Sequence, residues 1–173
     1  HLRVPLLGRR RHRLLCIGDR SYSDRRALPD ADFMTDSVLY AEQDKSALIT
    51  INRAERLNTL TAEVISRVAE CVDRATFSDE VAAIVLRGAG PNVSAGYDLV
   101  DFLANNGGSD AEIWDPVRDY QSMSANVRSF MKVWECPKPV VAEISGWAIG
   151  GATDLLLCAD LLFMADDAQI GYA

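Results

Sequence analysis

Histidine is almost missing from this chain. Its two copies, His1 and His12, both lie in an arginine-rich leader, and no histidine follows. A body without histidine builds no Ser-His-Asp triad, no Cys-His pair and no HExxH zinc site. Cysteine is scarce and scattered, with 4 copies at positions 16, 71, 136 and 158 and no CxxC spacing. That excludes a zinc ribbon or a thioredoxin-like motif, and it leaves reduced thiols in a cytosolic-type compartment as the expectation. No apolar run approaches the roughly 20 residues that cross a bilayer. The longest, Leu155–Cys158 and Leu161–Ala165, are core-sized. The phosphate-cradling motif G-x-x-x-x-G-K-[ST] is absent. Gly88-Ala89-Gly90 fails as a dinucleotide fingerprint, because position 93 is valine where the third glycine belongs.

What is present is an ordinary globular mix: 173 residues, 49% apolar, 25% charged, net charge −7. The length fits one domain. The charge is unevenly placed. Residues 1–33 hold eight arginines and four aspartates, which leaves ten basic and 21 acidic residues after them. An acidic body repels phosphate backbones, so nucleic acid is not the expected partner. An anionic ligand would need local cations, for which Lys45, Arg53, Arg56 and Lys138 are the candidates. Residues 1–33 show no strand or helix period and read as a non-native or disordered leader ahead of a body at 34–173. A mis-assigned upstream start, an organelle transit peptide and a basic arm all fit this leader. The first and last place the protein in the cytoplasm, and the second in mitochondria.

From Val38 the pattern becomes regular. Val38–Glu42 and Ser46–Asn52, separated by Gln43-Asp44-Lys45, predict a β-hairpin. Thr61 is placed to cap a helix running to about Phe77, with Val64, Ile65, Val68 and Val72 on one face. Val81–Leu86 predicts a strand buried on both faces. A long helix is expected from about Pro116 to Glu135, a second buried strand at Val140–Ile144, and a turn at Gly146–Gly151. A helix to Cys158 and a strand at Leu161–Ala165 follow. Strands alternating with helices indicate an α/β fold of β-β-α or βαβ units.

With histidine, metal and nucleotide chemistry set aside, carboxylates and backbone amides at glycine-rich turns remain. Two turns stand out: Asn92–Leu99 and Ser145–Asp154. Small residues there allow a close approach of backbone to ligand. Amides at a helix N-terminus are unpaired and carry partial positive charge. Two of them converging on one oxygen would form an oxyanion hole. Taken without further information, either turn could equally be simple punctuation between elements.

The residues themselves resemble a known family. Asn52-Arg53-Ala54-Glu55-Arg56-Leu57-Asn58-Thr59-Leu60 is similar to the N-R-P-x-x-x-N-A-L segment of the crotonase (enoyl-CoA hydratase/isomerase) family. Ser94-Ala95-Gly96-Tyr97-Asp98-Leu99 resembles its S-A-G-x-D-L turn. Residues 138–155 resemble its K-P-x-I-A-x-x-x-G-x-A-x-G-G-G-x-[ED]-L block. The resemblance runs from about Val38 to Ala173. It implies a crotonase-like spiral of repeated β-β-α units and a coenzyme A thioester as substrate, with no separate cofactor and no metal. It implies that the amides of Ala95 and Gly151 hold the thioester oxygen and that Asp154 takes part in proton transfer. It also implies substrate contacts from Arg56, Leu57, Ala95, Tyr97, Asp98, Leu99, Trp147 and Gly150. It implies, for the intact protein, a homotrimer or homohexamer.

Three departures stand beside the match. Asp154 replaces the hydratases' glutamate, although aspartate occurs there in the dienoyl-CoA isomerase branch. Ala152 replaces a common third glycine. The family's second carboxylate belongs just beyond Gly171, and its C-terminal helices beyond that, so the chain reads as truncated. An enoyl-CoA hydratase, a dienoyl-CoA-type isomerase and a non-catalytic acyl-CoA-binding paralogue remain open. For single residues, Asp98 is expected to fix the turn, Asp160 to be structural, and Trp147 to line a ligand slot or fill the core.

Overall fold

The computed structural model of the chain describes residues 13–16, 37–105 and 115–172. In chain order its elements are β1 (Arg13–Cys16), β2 (Val38–Gln43), β3 (Ser46–Ile51), α1 (Ala62–Phe77), β4 (Ala83–Gly88), α2 (Leu99–Asn105), α3 (Pro116–Trp134), β5 (Val140–Ile144), β6 (Trp147–Ile149), α4 (Gly151–Leu157), β7 (Leu161–Met164) and β8 (Gln169–Gly171). Six strands form one sheet in the order β1-β7-β5-β4-β3-β2, and β6 with β8 forms a second. Only β2 runs antiparallel to its neighbour. Its hairpin closes through Asp44 and Lys45, both at positive φ (51° and 62°), the backbone pair that matches the twist of two adjacent strands.

The sheet buries one face. Ile49, Leu86 and Ala142 sit side by side across β3, β4 and β5, with Ile51, Ile84, Val140 and Ile144 on the same buried face. Val64, Ile65, Val68 and Val72 of α1 supply the opposing apolar stripe, joined by Phe130 and Val133 of α3 and by Leu155 and Leu156 of α4. Each such side chain, fully buried, contributes about 1.5–3 kcal/mol. The Thr61 hydroxyl accepts from the Val64 N–H at 3.2 Å and starts α1 where expected. Asp115 does the same for Val117 at the start of α3, with Pro116 just inside.

Three expectations change. The run at 81–86 becomes a strand only from Ala83, because Ser78 and Lys45 carbonyls hold the Val81 and Ala82 amides in a turn. β4 is buried on one face and only half-buried on the other, where Arg87 donates to the Thr50 hydroxyl at 3.1 Å. Gly146–Gly151 is not a plain turn but contains β6, whose partner β8 lies some twenty residues on. The leader, read as devoid of strands, supplies Arg13–Cys16 as an edge strand parallel to β7; its other residues lie outside those described. Among the described residues no helix is long and apolar enough to cross a membrane.

Candidate active site

The two glycine turns leave the carboxyl ends of β4 and β5, where parallel α/β sheets place their ligand crevices. There the turns touch. Ser94 forms a parallel bridge with Ala148, its N–H donating to the Trp147 carbonyl and its carbonyl accepting from Ile149. Gly96 has φ +93°, and a Cβ built on it would stand 2.5 Å from the Ile149 carbonyl oxygen. A Cβ on Gly151 would meet the Tyr97 ring at 2.5 Å. Glycine at both positions is therefore what lets the two turns interlock.

Three polar side chains hold this arrangement. Asn58, buried at φ 53°, accepts from the Arg53 N–H and donates to the carbonyls of Ala89 and Asn92 at 2.7 and 2.8 Å. Asn92 accepts from the Trp147 N–H at 3.1 Å. Asp98, only 7% exposed, takes the Arg53 guanidinium at 3.1 Å, the Thr59 hydroxyl at 2.9 Å and the Asp101 N–H at 3.2 Å. Asn58 and Asn92 carried no role in the sequence reading. Their partners are distant in the chain, and only their place inside glycine-rich motifs could have drawn attention to them.

Burial alone would raise the Asp98 pKa. The Asp101 N–H, the Thr59 hydroxyl and Arg53 outweigh it and hold the carboxyl below its usual value of 3.8. A carboxylate with a depressed folded pKa contributes stability that is complete above the ordinary value and is lost as pH falls through the folded one. Asp98→Asn should therefore cost about 1–3 kcal/mol at neutral pH by removing the charge partner of Arg53, whose guanidinium keeps only its bonds to Thr59. It should also flatten the loss of stability as pH falls through and below the ordinary carboxylate value of 3.8. Urea midpoints from neutral pH down through that value check both; an equally steep acid limb in the variant would reject the account.

The predicted site residues separate into those turned inward and those facing the crevice. Ala95 does not offer its amide: its N–H donates to the Leu57 carbonyl at 3.0 Å. That corrects the expectation of an oxyanion donor at 95. The residue two places on is different. Leu60 bridges Tyr97 through the Gly96 carbonyl and the Asp98 N–H. In such a bridge the intervening N–H of Tyr97 points the other way, and among the described residues nothing accepts it. The Gly151 N–H, at the first position of α4, is likewise without an acceptor among the described residues. Gly150, at φ 55°, instead donates to the Gly171 carbonyl at 2.9 Å.

Leu57, in the left-handed region at φ 52°, and Arg56 lie exposed beside the first turn. Trp147 is 46% exposed, which removes its reading as a core tryptophan, and Leu99 is exposed at the start of α2. Of the four candidate cations, Arg53 is committed to Asp98, and Lys138 donates to the carbonyls of Ala75 and Ser78. Lys45 sits in the hairpin at the opposite end of the sheet, which leaves Arg56 at the crevice. Asp160 accepts from the Val140 N–H at 2.9 Å and is structural, as expected.

Asp154 lies exposed on the first turn of α4. Its carboxylate accepts the Tyr172 hydroxyl at 2.5 Å. Tyr97 has its phenol pKa raised by burial first and by the Asp154 charge second, while a hydrogen bond with Asn126 opposes the rise. Cys158, whose thiol donates to the Asp154 carbonyl at 3.3 Å, is raised by burial and then by the same charge.

The chain matches the model of the enoyl-CoA hydratase/isomerase family over residues 41–173. It is 29% identical over 143 residues to the mitochondrial Delta(3,5)-Delta(2,4)-dienoyl-CoA isomerase of Mus musculus, covering 80% of this chain and 43% of the isomerase. It is 25% identical to the crotonyl-CoA hydratase of Syntrophomonas wolfei, over 79% of this chain and 49% of that protein. Among solved structures, an enoyl-CoA hydratase from Mycobacterium smegmatis superposes with a TM-score of 0.71 at 38% identity, covering 79% of this chain and 49% of the hydratase. The chain thus spans about half the length of the relatives it matches. With a family match over the regular body and a shared α/β fold, this chain belongs to the enoyl-CoA hydratase/isomerase (crotonase) family.

Proposed function

We propose that this chain carries the thioester-activating half of an acyl-CoA hydratase or isomerase, with the amides of Tyr97 and Gly151 as its oxyanion hole. The observation that supports the reading is the interlock of the two turns, each of which carries one backbone N–H, that of Tyr97 and that of Gly151, with no acceptor among the described residues. A thioester carbonyl bound there gains charge as its α-carbon becomes an enolate, and fixed amide dipoles stabilise that charge without a metal. One such donor typically accounts for about 2.7–4 kcal/mol in the transition state. Asp154 is the carboxylate placed to move a proton on the bound acyl group. Arg56 supplies positive charge for the phosphates of coenzyme A, and exposed Leu57, Leu99 and Trp147 offer apolar contacts to the rest of the ligand.

An isomerase reading has its own support: aspartate, not glutamate, stands at 154, and the mouse relative is a dienoyl-CoA isomerase. Assays of the intact protein with crotonyl-CoA and with a 3,5-dienoyl-CoA separate the two. Turnover of the first identifies a hydratase and of the second an isomerase. Saturable binding with no turnover makes the protein an acyl-CoA-binding paralogue. Neither turnover nor saturable binding would reject the function altogether.

A further inference from the structure

We propose that Tyr172 is the positioning residue for Asp154, holding one carboxylate oxygen with its phenol so that the other is presented to the bound acyl group. The inference rests on the role given to Asp154 above. An exposed aspartate on a helix surface is ordinarily free to turn among its rotamers, and a proton-transfer group gains rate from being held in one geometry. Asp154 is held from outside its own helix. The Tyr172 hydroxyl donates to its Oδ1 at 2.5 Å, while among the described residues no hydrogen bond engages Oδ2.

The delivery of Tyr172 is built, not incidental. Its preceding residue, Gly171, ends β8, which is zipped in parallel to β6 from Trp147 to Ile149. The Gly171 carbonyl then accepts twice, from the Gly150 N–H at 2.9 Å and from the Thr153 hydroxyl at 2.9 Å. Thr153 is buried and also donates to the Ala148 carbonyl. The backbone one residue before Tyr172 is therefore clamped to the start of α4, one turn from Asp154. Tyr172 is 68% exposed, so hydrophobic burial does not explain its position. The hydrogen bond to Asp154 does.

Among the described residues, three groups with ionisable protons interact with this carboxylate: Tyr172 just after β8, Tyr97 from the first turn and Cys158 at the C-terminal cap of α4. Each has its pKa raised in part by the Asp154 charge, and for Tyr172 the hydrogen bond to Asp154 is the largest cause. All three stay protonated near neutral pH, so Tyr172 acts as a donor there.

The test uses Tyr172→Phe and Asp154→Asn, alone and together, in the intact protein. Tyr172→Phe should lower kcat about tenfold and leave KM for the thioester within about twofold, because the oxyanion donors are main-chain groups. In the Asp154→Asn background the same change should have no further effect. The ultraviolet difference between wild type and Tyr172→Phe isolates this phenol. Its titration should lie above that of a free tyrosine and fall back in Asp154→Asn. Unchanged or faster turnover in Tyr172→Phe, or full additivity in the double variant, overturns the inference alone. If the wild type turns over no thioester, the function proposed above fails, and the phenol titration still decides the pairing. An ordinary phenol that ignores Asp154→Asn overturns it.

Discussion

Alanine at position 96 should cost the fold about 3–5 kcal/mol and remove thioester turnover with it. Two independent penalties meet at this glycine. Its φ of +93° is outside the range that L side chains readily adopt, and an added Cβ would lie 2.5 Å from the carbonyl oxygen of Ile149, a backbone atom with no rotamer to escape through. Relief requires Ile149 to move. Ile149 lies in β6, bonds back to Ser94, and precedes the Gly150–Gly151 step that starts α4. Moving it separates the Tyr97 and Gly151 amides, so stability and catalysis fail together. Gly171→Ala is the control, since a Cβ there meets nothing within 4 Å. A urea midpoint for Gly96→Ala close to that of Gly171→Ala would show that the turns are not packed as described.

Much of this fold was legible because its elements announce themselves locally. The hairpin of β2 and β3, the Thr61 cap with the Val64-Ile65-Val68-Val72 stripe, Pro116 at the start of α3 and the apolar run at Val140 all depend on neighbours within a few residues. What was missed depends on distant partners. Three residues between glycines, Trp147–Ile149, look like a turn until β8 arrives to pair with them. Arg53 and Asp98 meet across 45 positions, and Asn58 reaches carbonyls 31 and 34 residues away. No periodicity encodes such pairs. The donor at Ala95 was implied by the family resemblance, and nothing in the local sequence could correct it. Small residues mark a turn where backbone nears a ligand, yet which amide stays open is decided by which carbonyl captures the others. Here Leu57 captures 95 and Leu60 captures 98, leaving 97 outward.

Asp154→Asn should lower kcat by about 10²–10⁴ while thioester binding stays within a few-fold of wild type. Of the carboxylates in and just after these turns, two are already committed to structural partners. Asp98 is closed by Arg53, Thr59 and its own helix, and Asp160 is tied to the Val140 amide. Asp154 alone lies on the exposed side of α4, beside the Gly151 amide, with one oxygen on Tyr172. Asparagine keeps its shape and removes only the charge and the capacity to carry a proton. The loss to α4 is limited to the favourable interaction of a first-turn carboxylate with the helix dipole, about 0.3–1 kcal/mol, so the variant folds. Binding should persist because the groups proposed to hold the thioester oxygen are main-chain N–H groups, which the substitution does not touch. Single-turnover and equilibrium-binding measurements separate the two effects. Near-normal kcat would remove Asp154 from the chemistry, and a parallel collapse of binding would move it from proton transfer to substrate recognition. Either result would redirect the search for the acid to a residue outside this half of the fold.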